Sequence, residues 1–187
     1  MNIMVKQILI WIISVIFLSS CLNTVKNFTQ KNNISYNNAD TSINKFILRD
    51  TSCMRQIKVH QKNIIEDFYK GEGICLSNND STEFLYLAKE NGGYKNQYCY
   101  FYLLDSIPQF YNNKIIKLSD PHFITSQGLH IGSTMKEFAE KTKCTAFNIE
   151  HTGDKTLYFY TDSTTLYTCK YIFHKNKLHQ IEFGYVW

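Results

Sequence analysis

The chain has 187 residues and a mass of 22.0 kDa, which is enough for one ordinary domain or two very small ones and excludes a large multidomain enzyme. Aromatic residues make up 15% of the chain, a content that excludes a disordered tail protein. The net charge of +4 is too small to indicate binding to nucleic acid, so we predict no nucleic-acid partner.

The first twenty residues have the pattern of an export signal. Lys6 precedes an almost wholly apolar run that ends at Leu18. This run is shorter than the roughly 20 apolar residues that a membrane-spanning helix requires. Its length is typical of the apolar core of a signal peptide. We therefore predict a signal peptide over residues 1–20.

Residues 18–21 read Leu-Ser-Ser-Cys and resemble the bacterial lipobox, in which a branched apolar residue and two small residues precede the cysteine that receives the lipid. The resemblance implies that Cys21 becomes the acylated, palmitate-bearing N-terminus of the mature chain. An ordinary secretory peptide with a chance cysteine is the alternative. Because acylation with more than one chain anchors a protein firmly, we expect a membrane-anchored lipoprotein.

Residues 21–43 contain six Asn and little that could form a core, so we interpret them as a flexible tether. No acidic residue follows Cys21 before Asp40. Surface-exported lipoproteins of the Bacteroidetes resemble one another in an acidic cluster directly after the lipidated cysteine. We therefore expect a Bacteroidetes-type lipoprotein of the outer membrane that faces the periplasm, with the inner membrane as the alternative.

The predicted body, residues 44–187, contains short segments that recur at an offset of about 70 residues. The recurring pairs are 66–69 with 136–139, 83–87 with 155–159, and 98–102 with 168–172. They predict two tandem units, at about 57–126 and 127–187. Coincidence among short aromatic strands is the alternative.

The first unit is predicted to open with a helix, because four apolar residues fall near one helical face and two glycines follow them. These residues are Ile57, Ile64, Ile65 and Phe68, then Gly71 and Gly73. Strands are predicted over Glu83–Lys89 and Tyr94–Leu104, joined by a hairpin turn at residues 91–93. A last strand at residues 115–118 is ended by Pro121.

The second unit is predicted to open with a helix capped by Ser133 or Thr134, with Glu137 as the capping-box carboxylate. Strands are predicted over residues 146–150, 156–161, 166–174 and 178–185. The predicted fold class is therefore α+β, with a helix laid over an antiparallel sheet in each of two tandem units.

Two such units with paired cysteines resemble the family of the beta-lactamase inhibitor protein, and a single unit resembles the small lipoprotein of the outer-membrane barrel-assembly machinery. The stretch from Gly128 to Glu137 is similar to the turn-and-helix opening of these units, with Gly132 as the turn glycine. The resemblance implies protein binding in the periplasm and no catalytic residue.

Five cysteines follow the lipidated one, and an exported chain permits disulfides. Strand alternation predicts that Cys99 and Cys169 lie on the same side, beneath the helices, and Cys75 and Cys144 each follow a helix. The repeat then favours the disulfides Cys75–Cys99 and Cys144–Cys169 and leaves Cys53 unpaired. Five buried thiols are the alternative.

The sequence contains no CxxC or HExxH motif, and its six histidines are scattered along the chain. We therefore predict no metal site and no cofactor. A nucleophilic pair of Cys75 with His130 has no local support. We predict that the protein is not an enzyme, with a cysteine-dependent hydrolase or a carbohydrate-binding module as alternatives.

Strand alternation also predicts an exposed aromatic face. If Cys99 and Phe101 face inward, six tyrosines face outward, and we predict these as the protein-binding residues: Tyr86, Tyr98, Tyr100, Tyr102, Tyr158 and Tyr160. Tyrosine combines a large apolar area with a polar tip and is typical of interfaces. The alternative is that the other unit or residues 44–56 cover this face.

These patterns together predict a periplasm-facing protein-binding lipoprotein. An inhibitor or immunity protein against a toxin or envelope enzyme fits the inhibitor-like architecture. An accessory of envelope assembly is the alternative that fits the single-unit resemblance.

Overall fold

The structure, a computed structural model, describes residues 40–66, 71–89, 97–142 and 147–185. A small hairpin of β1 (Ser42–Ile43) and β2 (Phe46–Ile47) precedes the main sheet. The strands of the main sheet are β3 (Ile64–Ile65), β4 (Gly73–Ser77), β5 (Phe84–Lys89), β6 (Tyr98–Leu104), β7 (Ile116–Lys117), β8 (Asn148–Thr152), β9 (Lys155–Asp162), β10 (Tyr167–His174) and β11 (Lys177–Tyr185).

The main sheet runs in the order β3-β4-β5-β6-β11-β10-β9-β8, and every neighbouring pair on this path is antiparallel. The short strand β7 pairs parallel with β4. Two meanders, β3 to β6 and β8 to β11, therefore join through their last strands, with Phe101 of β6 opposite Phe183 of β11. The two halves of the chain share one continuous sheet.

This architecture contradicts the predicted pair of helix-plus-sheet units. Within the described ranges the single α-helix is α1 (Met135–Lys141). Where the first helix was predicted, residues 61–63 form a 3-10 turn, and Ile64 and Ile65 pair with Ile74 and Gly73 as β3. Two consecutive β-branched residues favour this pleated surface over a helix, while Phe68 lies outside the described residues.

Helix α1 confirms the predicted cap. The Thr134 hydroxyl accepts a hydrogen bond from the Glu137 amide at 3.1 Å, and the Glu137 carboxylate accepts one from the Thr134 amide at 2.6 Å. The helix packs through Phe138, whose ring lies 4.8 Å from that of Tyr158 and 4.9 Å from that of Tyr171. All four strands predicted for the second half are confirmed. Their described ends lie within two residues of the predicted ones.

The sheet has two faces that are covered differently. On the first face, α1 and residues 43–54 cover a large core, whose deepest members include Phe46, Leu87, Phe123 and Phe183. On the second face, residues 107–115 cover a smaller cluster that belongs to the first half of the sheet. No helix within the described ranges is long and apolar enough to cross a membrane.

Candidate functional site

The tyrosines predicted to form an exposed surface are mostly buried. Tyr86, Tyr100 and Tyr102 lie on the second face and are at most 1% exposed. Ile107 and Tyr111, among other residues, pack over them. The prediction that these tyrosines present an interface to solvent is therefore wrong, because residues 107–115 fold back over this half of the sheet.

Tyr98 and Cys99 show where the alternation argument failed. Ala88 pairs with Tyr100 and Lys89 pairs with Tyr98, so Cys99 is an extra residue that forms a β-bulge in β6. The bulge places Tyr98 in the first-face core and Cys99 in the second-face cluster. A bulge reverses the alternation that strand parity assumes.

Tyr158 and Tyr160 lie on the opposite face from the three buried tyrosines. They pair with Tyr171 and Cys169 across β9 and β10, and both pack half-buried against the first-face core. The six predicted tyrosines are therefore divided between two faces and form no common surface.

The predicted bridge between Cys75 and Cys99 does not form. Strand β5 lies between their strands, and Cys75 is in line with Tyr102, three residues from Cys99. Their backbones are therefore more than about 10 Å apart, beyond the reach of a disulfide. Each thiol instead donates a weak hydrogen bond to a carbonyl, Cys75 to Leu76 at 3.8 Å and Cys99 to Ala88 at 3.7 Å. Burial raises the pKa of the Cys75 thiol to about 12, so it is not a nucleophile at neutral pH.

The second predicted bridge includes Cys144, which lies outside the described residues. Cys169 belongs to the first-face core and is 1% exposed. Cys169 and Cys99 therefore point to opposite sides of the sheet, and the prediction that they share one side is wrong.

The second half of the sheet has an apolar surface on its second face, which we call the open face and define as Leu157, Phe159 and Ile172. Leu157 pairs directly with Ile172, and Phe159 follows two residues later on the same strand, so the three side chains are contiguous. All three are half-buried, and none belongs to either hydrophobic core or packs against one. Among the described residues, no helix or loop covers this surface.

A polar group separates the open face from the buried tyrosines. The Lys170 ammonium lies 3.5 Å from the Glu182 carboxylate, and Gln180 donates to the same carboxylate at 2.5 Å. The Tyr100 hydroxyl lies 3.5 Å from it on the other side. Burial, with the nearby Glu182 carboxylate as a second cause, raises the pKa of Tyr100, so its hydroxyl stays a neutral donor.

One end of the sheet collects five of the six histidines, which the sequence had shown as scattered. This is the end formed by the close of β6, β8 and β10 and the start of β5, β9 and β11. The five residues are His122, His130, His151, His174 and His179.

Two of these histidines lie beside a buried acid. The Glu83 carboxylate is almost fully buried, and it lies 2.8 Å from Nδ1 of His122 and accepts a hydrogen bond from the Phe123 amide at 2.7 Å. The His130 ring lies 5.7 Å from that of His122. Glu83 thereby fixes the loop around Phe123 to the sheet, which is a structural task.

Two further histidines border the open face. His179 Nδ1 lies 2.5 Å from the Asp105 carboxylate, and its ring is 5.4 Å from that of His174. Ile172 pairs with Gln180 and Phe173 with Leu178, so His179 is the extra residue of a second bulge, in β11. Bulges commonly redirect a side chain at a functional site.

The structure brings no metal-ligating set together in the part of the chain that it describes. No group of three or more His, Cys, Asp or Glu side chains is placed there to hold a metal ion. The carboxylates of Asp105 and Glu83 each contact one imidazole, that of His179 and that of His122. His130 Nδ1 lies 2.7 Å from the Ile131 carbonyl.

Sequence reasoning missed the open face and the histidine-lined end. The predicted strands 166–174 and 178–185 leave a three-residue turn that includes Lys177. In the structure the turn has two residues, Lys175 and Asn176, both with positive φ, and His174 therefore lies opposite Lys177.

Comparison of the sequence with protein-family models and with curated proteins, and of the structure with solved structures, gives no match. The resemblance to the inhibitor protein and to the barrel-assembly lipoprotein therefore stays a prediction.

Proposed function

We propose that the protein is a lipoprotein of the bacterial cell envelope that binds another protein through the open face. The observation that carries this proposal is the contiguous apolar group of Leu157, Phe159 and Ile172, which no described element covers. Contiguous apolar side chains that a folded domain leaves partly open to solvent are typical of an interaction site.

The charges around the open face suggest the chemistry of the partner. Lys155, Lys175 and Lys177 are exposed at the sheet end beside it. Lys170, opposite Phe159, is paired with Glu182, and Glu150 of β8 lies opposite Leu157. A partner whose apolar patch carries acidic side chains on one side complements the lysines at that end. We therefore propose an acidic protein surface as the occupant.

The N-terminal attachment of the body does not obstruct the open face. The described chain begins at Asp40, whose carboxylate and carbonyl bind Tyr171 and Tyr167 on the first face. Attachment at Cys21 thus enters the body on the face opposite to the open face. The 19 residues from Cys21 to Asp40 reach at most about 65 Å, which sets the distance from the membrane at which a partner can be held.

The anchor is tested by palmitate labelling in a bacterial host. We expect Cys21→Ala to abolish labelling and to release the protein from the membrane fraction, whereas Cys53→Ala leaves both unchanged. Labelling that survives Cys21→Ala would contradict the lipoprotein assignment.

The open face is tested by a photo-reactive residue placed at position 159 and, as the control, at position 47. Ile47 is also apolar and is 47% exposed, but it lies on β2. We expect a discrete cross-linked partner from position 159 alone. The purified partner should then bind the wild type and Ile47→Ser equally, and bind Phe159→Ser or Ile172→Ser about tenfold more weakly or worse. Equal binding to all four proteins would refute the proposal.

A further inference from the structure

Three cationic or ionisable side chains lie directly opposite one another at the end of the open face. His174 of β10 pairs with Lys155 of β9 on one side and with Lys177 of β11 on the other. Directly opposed residues share a face, with Cβ atoms about 5 Å apart. We call Lys155, His174 and Lys177 the cationic row.

The two lysines of the row flank His174 from the neighbouring strands, about 10 Å apart, and no acidic residue stands between them. In the part of the chain that the structure describes, neither Lys155 nor Lys177 forms an ion pair. Both ammonium groups are exposed, so the row presents its donors to solvent.

A fourth group adjoins the row. The ring of His179 lies 5.4 Å from that of His174, and the carboxylate of Asp105, the residue after β6, lies 2.5 Å from its Nδ1. The remaining ring nitrogen, Nε2, is therefore oriented by a fixed partner rather than by solvent. The bulge in β11 positions His179 beside the row.

Among the described residues, no acid forms an ion pair with Lys155 or Lys177. Asp105 contacts His179, and Glu137 contacts the cap of α1. Glu150 of β8 pairs with Leu157, two residues along β9 from Lys155, and Asp154 lies on the turn before Lys155.

We infer that the cationic row, together with His179, binds a carboxylate that the protein partner presents beside its apolar patch. The row lies two residues along the strands from the Ile172–Leu157 pair, so one extended segment could contact both. Two ammonium groups and two imidazoles can donate to both oxygens of a carboxylate. This inference rests on the proposed function and specifies the charged contact of the same site.

A protein carboxylate is the ligand that the row favours, because the row continues into the apolar side chains of the open face. A segment of alternating acidic and apolar residues can contact the row and the Leu157–Ile172 pair together.

The experiment uses the full-length protein in detergent and two fluorescent capped hexapeptides, one of alternating Glu and Leu and the other of alternating Gln and Leu. We expect the Glu peptide to bind at least about tenfold more tightly than the Gln peptide. Lys155→Gln/Lys177→Gln should remove this difference, whereas Lys58→Gln/Lys62→Gln should keep it. Both doubles lose the same charge, but Lys58 and Lys62 lie near β3, far from the row in the order of strands.

Equal binding of the two peptides, or equal loss in both lysine doubles, would overturn the inference. Flotation with phosphatidylglycerol vesicles that depends on Lys155 and Lys177, without binding of the Glu peptide, would overturn it in favour of a membrane ligand. If Phe159→Ser weakens the cross-linked partner but the row variants do not, the carboxylate contact fails while the proposed function holds. If the Glu peptide binds the row but no partner is cross-linked at position 159, the proposed function fails separately.

Discussion

Tyr171 donates a hydrogen bond of 2.6 Å to the carboxylate of Asp40, and both side chains are fully buried. The same carboxylate accepts hydrogen bonds from the Ser126 hydroxyl at 2.9 Å and from the Gln127 amide at 3.0 Å. These contacts fix the beginning of the described chain to β10 and to the loop at residues 125–127. Residues 40–43, which the sequence placed in a flexible tether, therefore pack against the body.

Asp40 should make stability depend on pH. Burial raises the pKa of its carboxyl group above the usual value, and hydrogen bonds offset this only in part. Since the folded state then favours the protonated form, the free energy of unfolding should decrease as the pH rises from about 4 through the raised pKa. Asp40→Asn should reduce this slope, as measured by urea denaturation between about pH 4 and pH 7.

A matched variant separates charge from hydrogen bonding. Asp40→Ala leaves the fully buried Tyr171 hydroxyl and two partly buried donors without their acceptor, so it should cost about 2–4 kcal/mol at every pH. An unchanged pH slope in Asp40→Asn would show that Asp40 is not the group responsible.

Gly184 should tolerate no side chain. A Cβ atom at this position would lie 2.2 Å from the Cys99 carbonyl oxygen and 2.6 Å from Tyr100 Cα, at the contact between β6 and β11. We expect Gly184→Ala to lower stability by about 3 kcal/mol or more, because both obstructing atoms belong to the backbone. Gly153→Ala is the control, since Gly153 also has positive φ but has nothing within 4 Å. Thermal unfolding curves of equal midpoint for the two variants would refute the steric argument.

Tyr102 should act as a core residue. It is 1% exposed and its ring lies 4.8 Å from that of Tyr100 and 5.9 Å from that of Tyr86. Tyr102→Ala should therefore cost about 3–5 kcal/mol, the usual range for truncating a buried aromatic residue. Tyr102→Phe keeps the ring and should cost much less. A melting temperature that Tyr102→Ala leaves unchanged would restore the interpretation of an exposed tyrosine surface.

Cys75 should resist modification in the folded protein. Its pKa of about 12 leaves almost no thiolate at neutral pH, and the side chain is fully buried. We expect a thiol reagent to modify Cys75 only after denaturation, with Cys53, which is partly exposed, reacting earlier. Peptide mapping without reductant should find no link between Cys75 and Cys99. Detection of that link would contradict the strand order β4-β5-β6.

Local signals in the sequence were sufficient for the second half of the body. Thr134 and Glu137 lie three residues apart and satisfy each other's amides, so the start of α1 depends on neighbours in sequence alone. The strands β9, β10 and β11 likewise follow from aromatic and β-branched runs separated by short polar turns. The structure of the first half was harder to predict from the sequence, because Ile64 and Ile65 fit both a helical face and a short strand.

The sequence by itself determined the antiparallel strands of the second half and the capped helix, because these depend on alternation, turn residues and hydrogen bonds within a few residues. Only the tertiary structure decided which side chains meet solvent. The bulge at Cys99 reverses the facing of β6, and residues 107–115 cover Tyr86, Tyr100 and Tyr102. The register of β9, β10 and β11 placed Lys155, His174 and Lys177 in one row. Bulges, covering loops and register depend on contacts between residues far apart in the chain, which local patterns do not encode.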